Sequence, residues 1–302
     1  MPELIIDPRT AYIGPGIEVK RILPFRTHRM VGPFIFMDHA GPIKGLGNET
    51  KNFNVLPHPH IGLSTVTYLF NGNLTHRDSL GMEQIIKPGE VNWMTAGKGI
   101  SHSERFEDPE LFKEGELEMI QTWVALPENV EETEPSFNNY NKNQLPVIED
   151  KGIWMRLIAG SAYGLKSSVN IDSPLFYIHT ILNKQKTLAL PEGYSERGIY
   201  ISKGSIEVNH KPFSEGQLLI FKQGDMPVIS ALKDSTLMLL GGEPLGYRYI
   251  WWNFVSSRKE RIEQAKEDWR QGRILLPPND NQEFVPLPED NPSTPPSPQP
   301  LS

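Results

Sequence analysis

The sequence predicts an all-β protein with two antiparallel β-barrels of the jelly-roll type and one short helix near the C-terminus. Short segments rich in β-branched and aromatic residues recur through residues 1–240. Glycine and proline contribute 25 and 27 of the 302 residues, which favours short strands separated by tight turns over a helical bundle. The two halves of the chain also share a repeated pattern, which predicts two related barrels.

The strand predictions rest on short segments that are bounded by Gly, Pro or Asn. Those in the first half are Ser64–Phe70, Gln84–Lys87, Val91–Thr95 and Met119–Ala125. Those in the second half are Gly198–Lys203, Ser205–Asn209, Gln217–Phe221 and Ser235–Leu240. Closely spaced strands with turn residues between them are typical of a β-sandwich or barrel.

The repeat aligns two pairs of segments. Tyr68–Gly72 corresponds to Tyr200–Gly204, and Gly89–Gly97 corresponds to Gly216–Gly224 with the same spacing between its glycines. A duplication of this kind indicates that each half of the chain forms one barrel.

The repeat and the composition together predict the domain boundaries. We expect an N-terminal barrel over residues 1–130, a polar linker over 131–146, and a C-terminal barrel with the helix over 147–285. Seven of the seventeen residues in 286–302 are proline, so we expect this tail to be disordered or polyproline II and to form no core.

One helix is predicted near the end of the second half. Ser257–Glu260 has the pattern of a capping box, and Ile262, Ala265 and Trp269 fall on one helical face. Gly272 is a suitable residue to end the helix. We expect the apolar face to pack on a barrel.

Charge and composition exclude several classes of function. The formal net charge is −7 and the pI about 5.7, so direct binding to nucleic acid is disfavoured. The sequence has no apolar run long enough to span a membrane and no signal-peptide pattern, so we expect a cytoplasmic chain, which we take to be a monomer. The absence of cysteine leaves histidine and carboxylates as the strong metal ligands.

Two short motifs carry the chemistry. Residues i and i+2 of a strand point to the same face, so His58 and His60 should point together, as should His102 and Glu104. Three imidazoles and a carboxylate suit iron, nickel, copper, manganese or zinc, and the open positions favour a redox metal over structural zinc. The alternative is that these histidines are surface residues with unrelated partners, which a single His-x-His would favour.

Longer stretches around these motifs resemble a known family. They are Pro24–Pro42, Pro57–Phe70, His76–Gly81 and Pro88–Glu104. The sequence resembles the pirin family of the cupin superfamily over about residues 10–285. The resemblance implies a bicupin fold of two stacked barrels, and usually iron, held by the residues at His58, His60, His102 and Glu104.

The repeat also predicts which half binds the metal. Counting from the repeated glycines places Leu190 and Glu192 at the positions of His58 and His60, and Ile229 and Ala231 at those of His102 and Glu104. Three of the four ligand types are lost, so we expect no metal in the C-terminal barrel. The glutamate usual in cupins a few residues after the His-x-His is also absent, because Leu63 and Ser64 stand there.

The resemblance implies two functions of different classes. The first is a dioxygenase that cleaves a flavonol such as quercetin with O2, with Glu104 as the candidate base or hydrogen-bond acceptor for the substrate hydroxyl. The second is a redox-sensing, metal-binding regulator that acts through a protein partner, as a transcriptional coregulator or a modulator of a metabolic enzyme.

Overall fold

The computed structural model describes residues 1–13, 16–44, 53–107 and 116–288 of the chain. Its elements are short antiparallel strands and one helix, as the sequence predicts. The first strands are Leu4–Ile6 (β1), Arg9–Ile13 (β2), Ile17–Leu23 (β3), Phe34–Lys44 (β4), Val55–His60 (β5), Leu63–Asn71 (β6), Leu74–Asp78 (β7), Glu83–Ile86 (β8), Val91–Thr95 (β9), Ile100–Arg105 (β10), Glu116–Ala125 (β11) and Ser136–Tyr140 (β12).

The remaining elements are also short strands, followed by the helix. They are Val147–Asp150 (β13), Ile153–Ala162 (β14), Leu165–Lys166 (β15), Leu175–Leu182 (β16), Thr187–Ala189 (β17), Glu196–Lys203 (β18), Ser205–Val208 (β19), Lys211–Ser214 (β20), Leu218–Lys222 (β21), Val228–Ala231 (β22), Ser235–Gly242 (β23), Tyr249–Trp251 (β24), Phe254–Ser256 (β25) and the helix Lys259–Arg270 (α1).

The chain forms two compact units that interleave along the sequence. The first unit comprises Met1–Ala11, Val19–His39 and Tyr140–Pro244, and the second comprises Tyr12–Glu18, Ala40–Asn139 and Leu245–Ser302. The units are therefore not the consecutive intervals 1–130 and 147–285, because each unit combines segments from the N-terminal and the C-terminal half of the chain. The helix belongs to the second unit, together with most of the N-terminal half.

Strand order shows the duplication directly. In the second unit a four-stranded sheet runs β5-β10-β7-β8, and in the first unit a four-stranded sheet runs β17-β22-β19-β20. The larger sheets contain the matching series β9-β6-β11-β4 and β21-β18-β23-β16. The repeated glycines Gly72 and Gly204 both have positive φ at the ends of matching strands. The predicted internal repeat is confirmed.

The predicted barrels are wrong in one respect, because the sheets are sandwich-like rather than closed barrels. None of the sheets formed by the described residues closes on itself. The prolines of β5 give a physical reason at one edge. Pro57 and Pro59 have no backbone N–H, so β5 pairs with β10 on one side and remains an edge strand on the other.

The helix begins differently from the capping-box prediction, but it ends where the sequence predicts. The N-cap is Arg258 instead of the predicted Ser257, and Arg258 makes no side-chain cap. The Ser257 hydroxyl does not cap the helix because it donates to the Glu131 carboxylate at 2.8 Å. The predicted C-terminal stop is confirmed. Gly272 has φ of 65°, and its N–H bonds to the carbonyl of Trp269 while that of Arg273 bonds to Asp268, which is a Schellman motif.

The helix packs beside the end of β5. Its apolar face, with Ile262, Ala265 and Trp269, forms a buried cluster with Phe254 and with Ile61, the residue after His60. Burying this face stabilises both the helix and the end of the strand. The 12 residues of α1 are too few to span a membrane, and no other helix occurs in the described ranges.

Parts of the intervals expected to be a linker and a tail are ordered in the structure. The interval 131–146, expected to be a linker, contains β12 and the buried carboxylate of Glu131. In the expected tail, Leu287 packs against the helix cluster. The rest of the tail, residues 289–302, lies outside the described residues.

We expect Glu131→Ala to lower the free energy of unfolding by about 3 kcal/mol, because it leaves three donors of residues 256 and 257 without their charged acceptor. Urea denaturation followed by tryptophan fluorescence measures the loss. Glu134→Ala is the matched control, since that side chain is 79% exposed and pairs with Lys98 at the surface. It should change stability by less than about 0.5 kcal/mol. Equal losses in the two variants would contradict this account of Glu131.

Candidate metal centre

Three histidines converge in the second unit. His58 and His60 lie on β5, and His102 lies directly opposite His58 on the neighbouring strand β10. One ring nitrogen from each histidine lies within 4.8 Å of the other two, and all three residues are buried. The two motifs that are more than forty residues apart in the sequence thus meet through antiparallel pairing, as the same-face argument predicted.

The orientation of His58 is set by its own strand. Its Nδ1 lies 2.9 Å from the backbone carbonyl of Leu56. A carbonyl oxygen only accepts, so Nδ1–H is the donor and the neutral ring keeps its lone pair on Nε2. That nitrogen is therefore available to a metal ion.

The other two rings carry nitrogens that lack an ordinary partner. Nε2 of His102 is buried and has no hydrogen-bond partner among the described residues. The His60 ring is also buried, and its contact with the backbone of Asn253 lies outside normal hydrogen-bond geometry. Buried polar atoms are nearly always satisfied by a partner, and a metal ion would satisfy these. The three side chains therefore fit a divalent first-row metal.

Burial keeps the three imidazoles neutral. It lowers the pKa of His58 to about 4, with the nearby His76 adding a smaller effect in the same direction. Burial also lowers the pKa of His60 and of His102 well below the usual value, and the neighbouring histidines lower them further. Neutral imidazole is the form that binds metal, so these side chains need to lose no proton at neutral pH.

Glu104 is buried near this cluster but stands apart from it. Its carboxylate is not part of the set of ligand atoms within 4.8 Å of one another. A β-bulge between His102 and Glu104 shifts the pairing with β5, so that Glu104 falls opposite Val55. Burial raises the pKa of the Glu104 carboxyl to about 7.

Two further residues contact the cluster and were given no role by the sequence reasoning. Nδ1 of His76 lies 3.2 Å from Nδ1 of His102, and Nε2 of His76 lies 3.2 Å from a carboxylate oxygen of Asp78. Their His-x-Asp spacing on a strand is the same i, i+2 signal that identified His58 and His60. Sequence alone could not show that β7 would lie beside β10.

The outer face of β10 is fixed by the C-terminal segment. Ser101 donates to the carbonyl of Leu275 at 2.6 Å, and Ser103 and Arg105 both bind the carboxylate of Asp280. These side chains alternate with His102 and Glu104 along the strand. The strand is therefore held from both faces, which restricts the position of its metal-facing residues.

Aromatic side chains pack around the histidines. The indole of Trp123 meets the ring of His60 edge-on, with 5.2 Å between centroids, and Phe137 stacks on His76 at 4.4 Å. Both aromatic residues come from the larger sheet of the sandwich. They limit the access of water to the imidazoles on that side.

The matching positions of the first unit are apolar. Ile229 of β22 pairs with Leu188 of β17, where His102 of β10 pairs with His58 of β5. Ile229, Leu188, Leu190 and Ala231 all belong to one hydrophobic core. Glu192, expected at the position of His60, is exposed. These side chains offer no alternative set of ligands there.

The duplicated sandwich and its histidine cluster define a two-domain protein of the cupin type. The family model described as Pirin matches residues 16–124, and that described as Pirin C-terminal cupin domain matches residues 177–275. The chain belongs to the pirin family.

Known relatives agree with this assignment. A pirin-like protein of Caulobacter vibrioides is 53% identical over 96% of this chain and 100% of its own length. A crystal structure of quercetin 2,3-dioxygenase from Acinetobacter baumannii is 32% identical, covers 94% of both chains and has a TM-score of 0.85. A second quercetin 2,3-dioxygenase structure from the same organism is 28% identical, with a TM-score of 0.84 over 91% of this chain and 98% of its own.

We expect metal binding at pH 6 to release most of one proton per chain, because burial raises the pKa of the Glu104 carboxyl to about 7 and the carboxyl would have to ionise to serve as a fourth ligand. The histidines contribute little, since they are already neutral. At pH 8 the carboxyl is more fully ionised in the free protein, so the release should be much smaller. Titration calorimetry with Ni²⁺ in buffers of different ionisation enthalpy measures both values.

Glu104→Gln is the control for this titration, and it should release almost no proton at either pH. Wild-type protein that binds Ni²⁺ at pH 6 without proton release would remove Glu104 from the ligands. Equal release by wild type and by the Gln variant would assign the proton to the histidines instead.

Proposed function

We propose that the chain is a metal-dependent dioxygenase that cleaves a flavonol such as quercetin with O2, and that its metal is iron. The observation that carries the proposal is the set of three buried imidazoles whose free nitrogens face one another. The likeness to quercetin 2,3-dioxygenase structures over nearly the whole chain supports the substrate class. Fold alone would not, since one fold hosts many functions.

Different residues of the site would bind the metal and exclude water. His58, His60 and His102 hold the metal through neutral nitrogens, and Glu104 is proposed as the fourth ligand. When bound, a redox metal supplies Lewis acidity toward a substrate hydroxyl and a route for electrons between the substrate and dioxygen. The surrounding apolar walls exclude bulk water, which strengthens the electrostatic interactions inside the site.

Glu104 is also the proposed proton acceptor. Burial raises the pKa of this carboxyl to about 7 in the metal-free chain. A metal ion bound to one carboxylate oxygen lowers that pKa, so the role as base requires a second oxygen that the metal leaves free. One carboxylate oxygen would accept the proton of the flavonol hydroxyl while the side chain remains beside the metal. A carboxylate with an ordinary pKa would be a weaker base at the same pH.

We expect iron-loaded protein to consume O2 in the presence of quercetin. Loading with excess iron should restore metal to Glu104→Gln but leave its turnover about a hundred-fold to ten-thousand-fold below that of wild type, because an amide accepts no proton. The deficit should shrink at higher pH, where the flavonol ionises without a base. An oxygen electrode and metal analysis of the same samples measure turnover and loading together.

His58→Ala is the control for any oxidation of quercetin by iron that is not held in the site. Wild-type turnover no higher than that of His58→Ala would contradict the dioxygenase. Full wild-type turnover in metal-loaded Glu104→Gln would leave Glu104 without a role as base.

The second candidate is a regulator whose metal state changes a surface recognised by a protein partner. The observation in its favour is that the 53% identical relative is named only as pirin-like, with no activity in its name. The same oxygen assay separates the candidates. A metal-loaded chain that does not turn over flavonols supports the regulator.

A further inference from the structure

The hydrogen-bonding partner of His102 lies on the neighbouring strand β7. Antiparallel pairing sets Asp78 directly opposite His102, and His76 directly opposite Glu104. Side chains of one face alternate along each strand, so His76 and Asp78 point toward the same side as the metal-binding histidines. Both residues are buried, with 3% and 0% of their surface exposed.

Contacts at both ends of the His76 ring give the chain of hydrogen bonds a direction. The Asp78 carboxylate only accepts, so the Nε2–H of His76 is the donor across their 3.2 Å contact. The Nε2–H tautomer of His76 carries its lone pair on Nδ1, which lies 3.2 Å from Nδ1 of His102. His102 must donate there through Nδ1–H, and this leaves its lone pair on Nε2.

These hydrogen bonds leave the lone pair of His102 on Nε2, and this is the ring nitrogen that is buried and has no hydrogen-bond partner among the described residues. His58 obtains the same result by a different route, through its donation to the Leu56 carbonyl. Two of the three imidazoles are thus fixed with Nε2 available to the metal.

Asp78 is itself fixed by the turn that follows β7. Its Oδ1 accepts from the backbone N–H of Leu80 at 2.9 Å and of Met82 at 3.1 Å, which leaves Oδ2 for His76. The ring of His76 is held from the side by its stack on Phe137. The chain of hydrogen bonds therefore starts from a turn whose backbone determines which oxygen faces the histidine.

The first unit has the matching strands, but its described residues lack this series of hydrogen bonds. There Ile229 of β22 pairs with Val208 of β19, where His102 pairs with Asp78. Both Ile229 and Val208 are fully buried in the hydrophobic core. The carboxylate is thus present in the unit that carries the ligand histidine and absent from the matching position of the other.

We propose that His76 and Asp78 are positioning residues, which hold His102 in the tautomer whose Nε2 binds the metal. The proposal rests on the metal site of the proposed function and does not depend on the substrate. Partners of this kind orient a ligand and raise its basicity, and their loss commonly weakens metal binding ten-fold to a hundred-fold.

The most direct test reads the tautomer in the metal-free protein. Long-range ¹H–¹⁵N NMR on histidine-labelled protein distinguishes Nδ1–H from Nε2–H, and we expect His102 to be the Nδ1–H form in wild type. In Asp78→Asn the single acceptor oxygen serves the two turn amides, so the side-chain NH₂ faces His76. His76 then accepts at Nε2 and donates from Nδ1, which forces His102 to the Nε2–H form.

Metal affinity provides the second readout. Competition with a chelator should show that Asp78→Asn binds Ni²⁺ ten-fold to a hundred-fold more weakly than wild type. Arg77→Gln is the matched control, since Arg77 lies between the two residues on β7 but pairs with Glu83 and Glu107 at the surface. Its Ni²⁺ affinity should stay within about two-fold of wild type.

Several results would overturn the proposal. One is a wild-type His102 in the Nε2–H form, which decides the matter even if Asp78→Asn does not fold. Another is an Asp78→Asn variant that keeps both the wild-type tautomer of His102 and the wild-type Ni²⁺ affinity. The same conclusion holds if that variant loses thermal stability while both readouts stay at their wild-type values. Neither readout uses quercetin, so failure of the dioxygenase would leave this proposal standing, and the reverse also holds.

Discussion

The pairing of β10 with both of its neighbours is the constraint on which the site depends. His102 lies in one cross-strand row with His58 on one side and Asp78 on the other. A slip of one residue would turn His102 to the outer face, because side chains alternate along a strand. The bonds of Ser101 and Ser103 to the C-terminal segment oppose such a slip from the outer face.

The same duplicated fold carries two different interiors. In the second unit Thr67 pairs with Gln121 across the larger sheet, and their buried side chains share a 2.8 Å hydrogen bond. At the matching row of the first unit, Ile199 pairs with Leu239 in a wholly apolar core. At these matching rows one copy therefore packs apolar side chains, while the other pairs polar side chains that satisfy each other's hydrogen bonds.

Sequence reasoning predicted what depends on local pattern. The β class and the repeat follow from alternation and glycine spacing, and the structure confirms them. His58 and His60 lie together as alternation predicts, and their role as metal ligands stays a prediction. The helix start was wrong because Ser257 binds Glu131, a tertiary contact that no local capping rule includes. The roles of His76 and Asp78 depend on which strands become neighbours, and strand order is a property of the whole sheet.

The central claim is that one metal ion binds to the three histidines of the second unit. Its most direct test is elemental analysis of untagged protein after loading with iron and removal of excess metal, compared with His102→Ala treated in the same way. We predict about one ion per wild-type chain and a nearly metal-free variant, since loss of one of three imidazoles removes most of the affinity. Two ions per wild-type chain, or one ion retained in full by His102→Ala, would contradict the account.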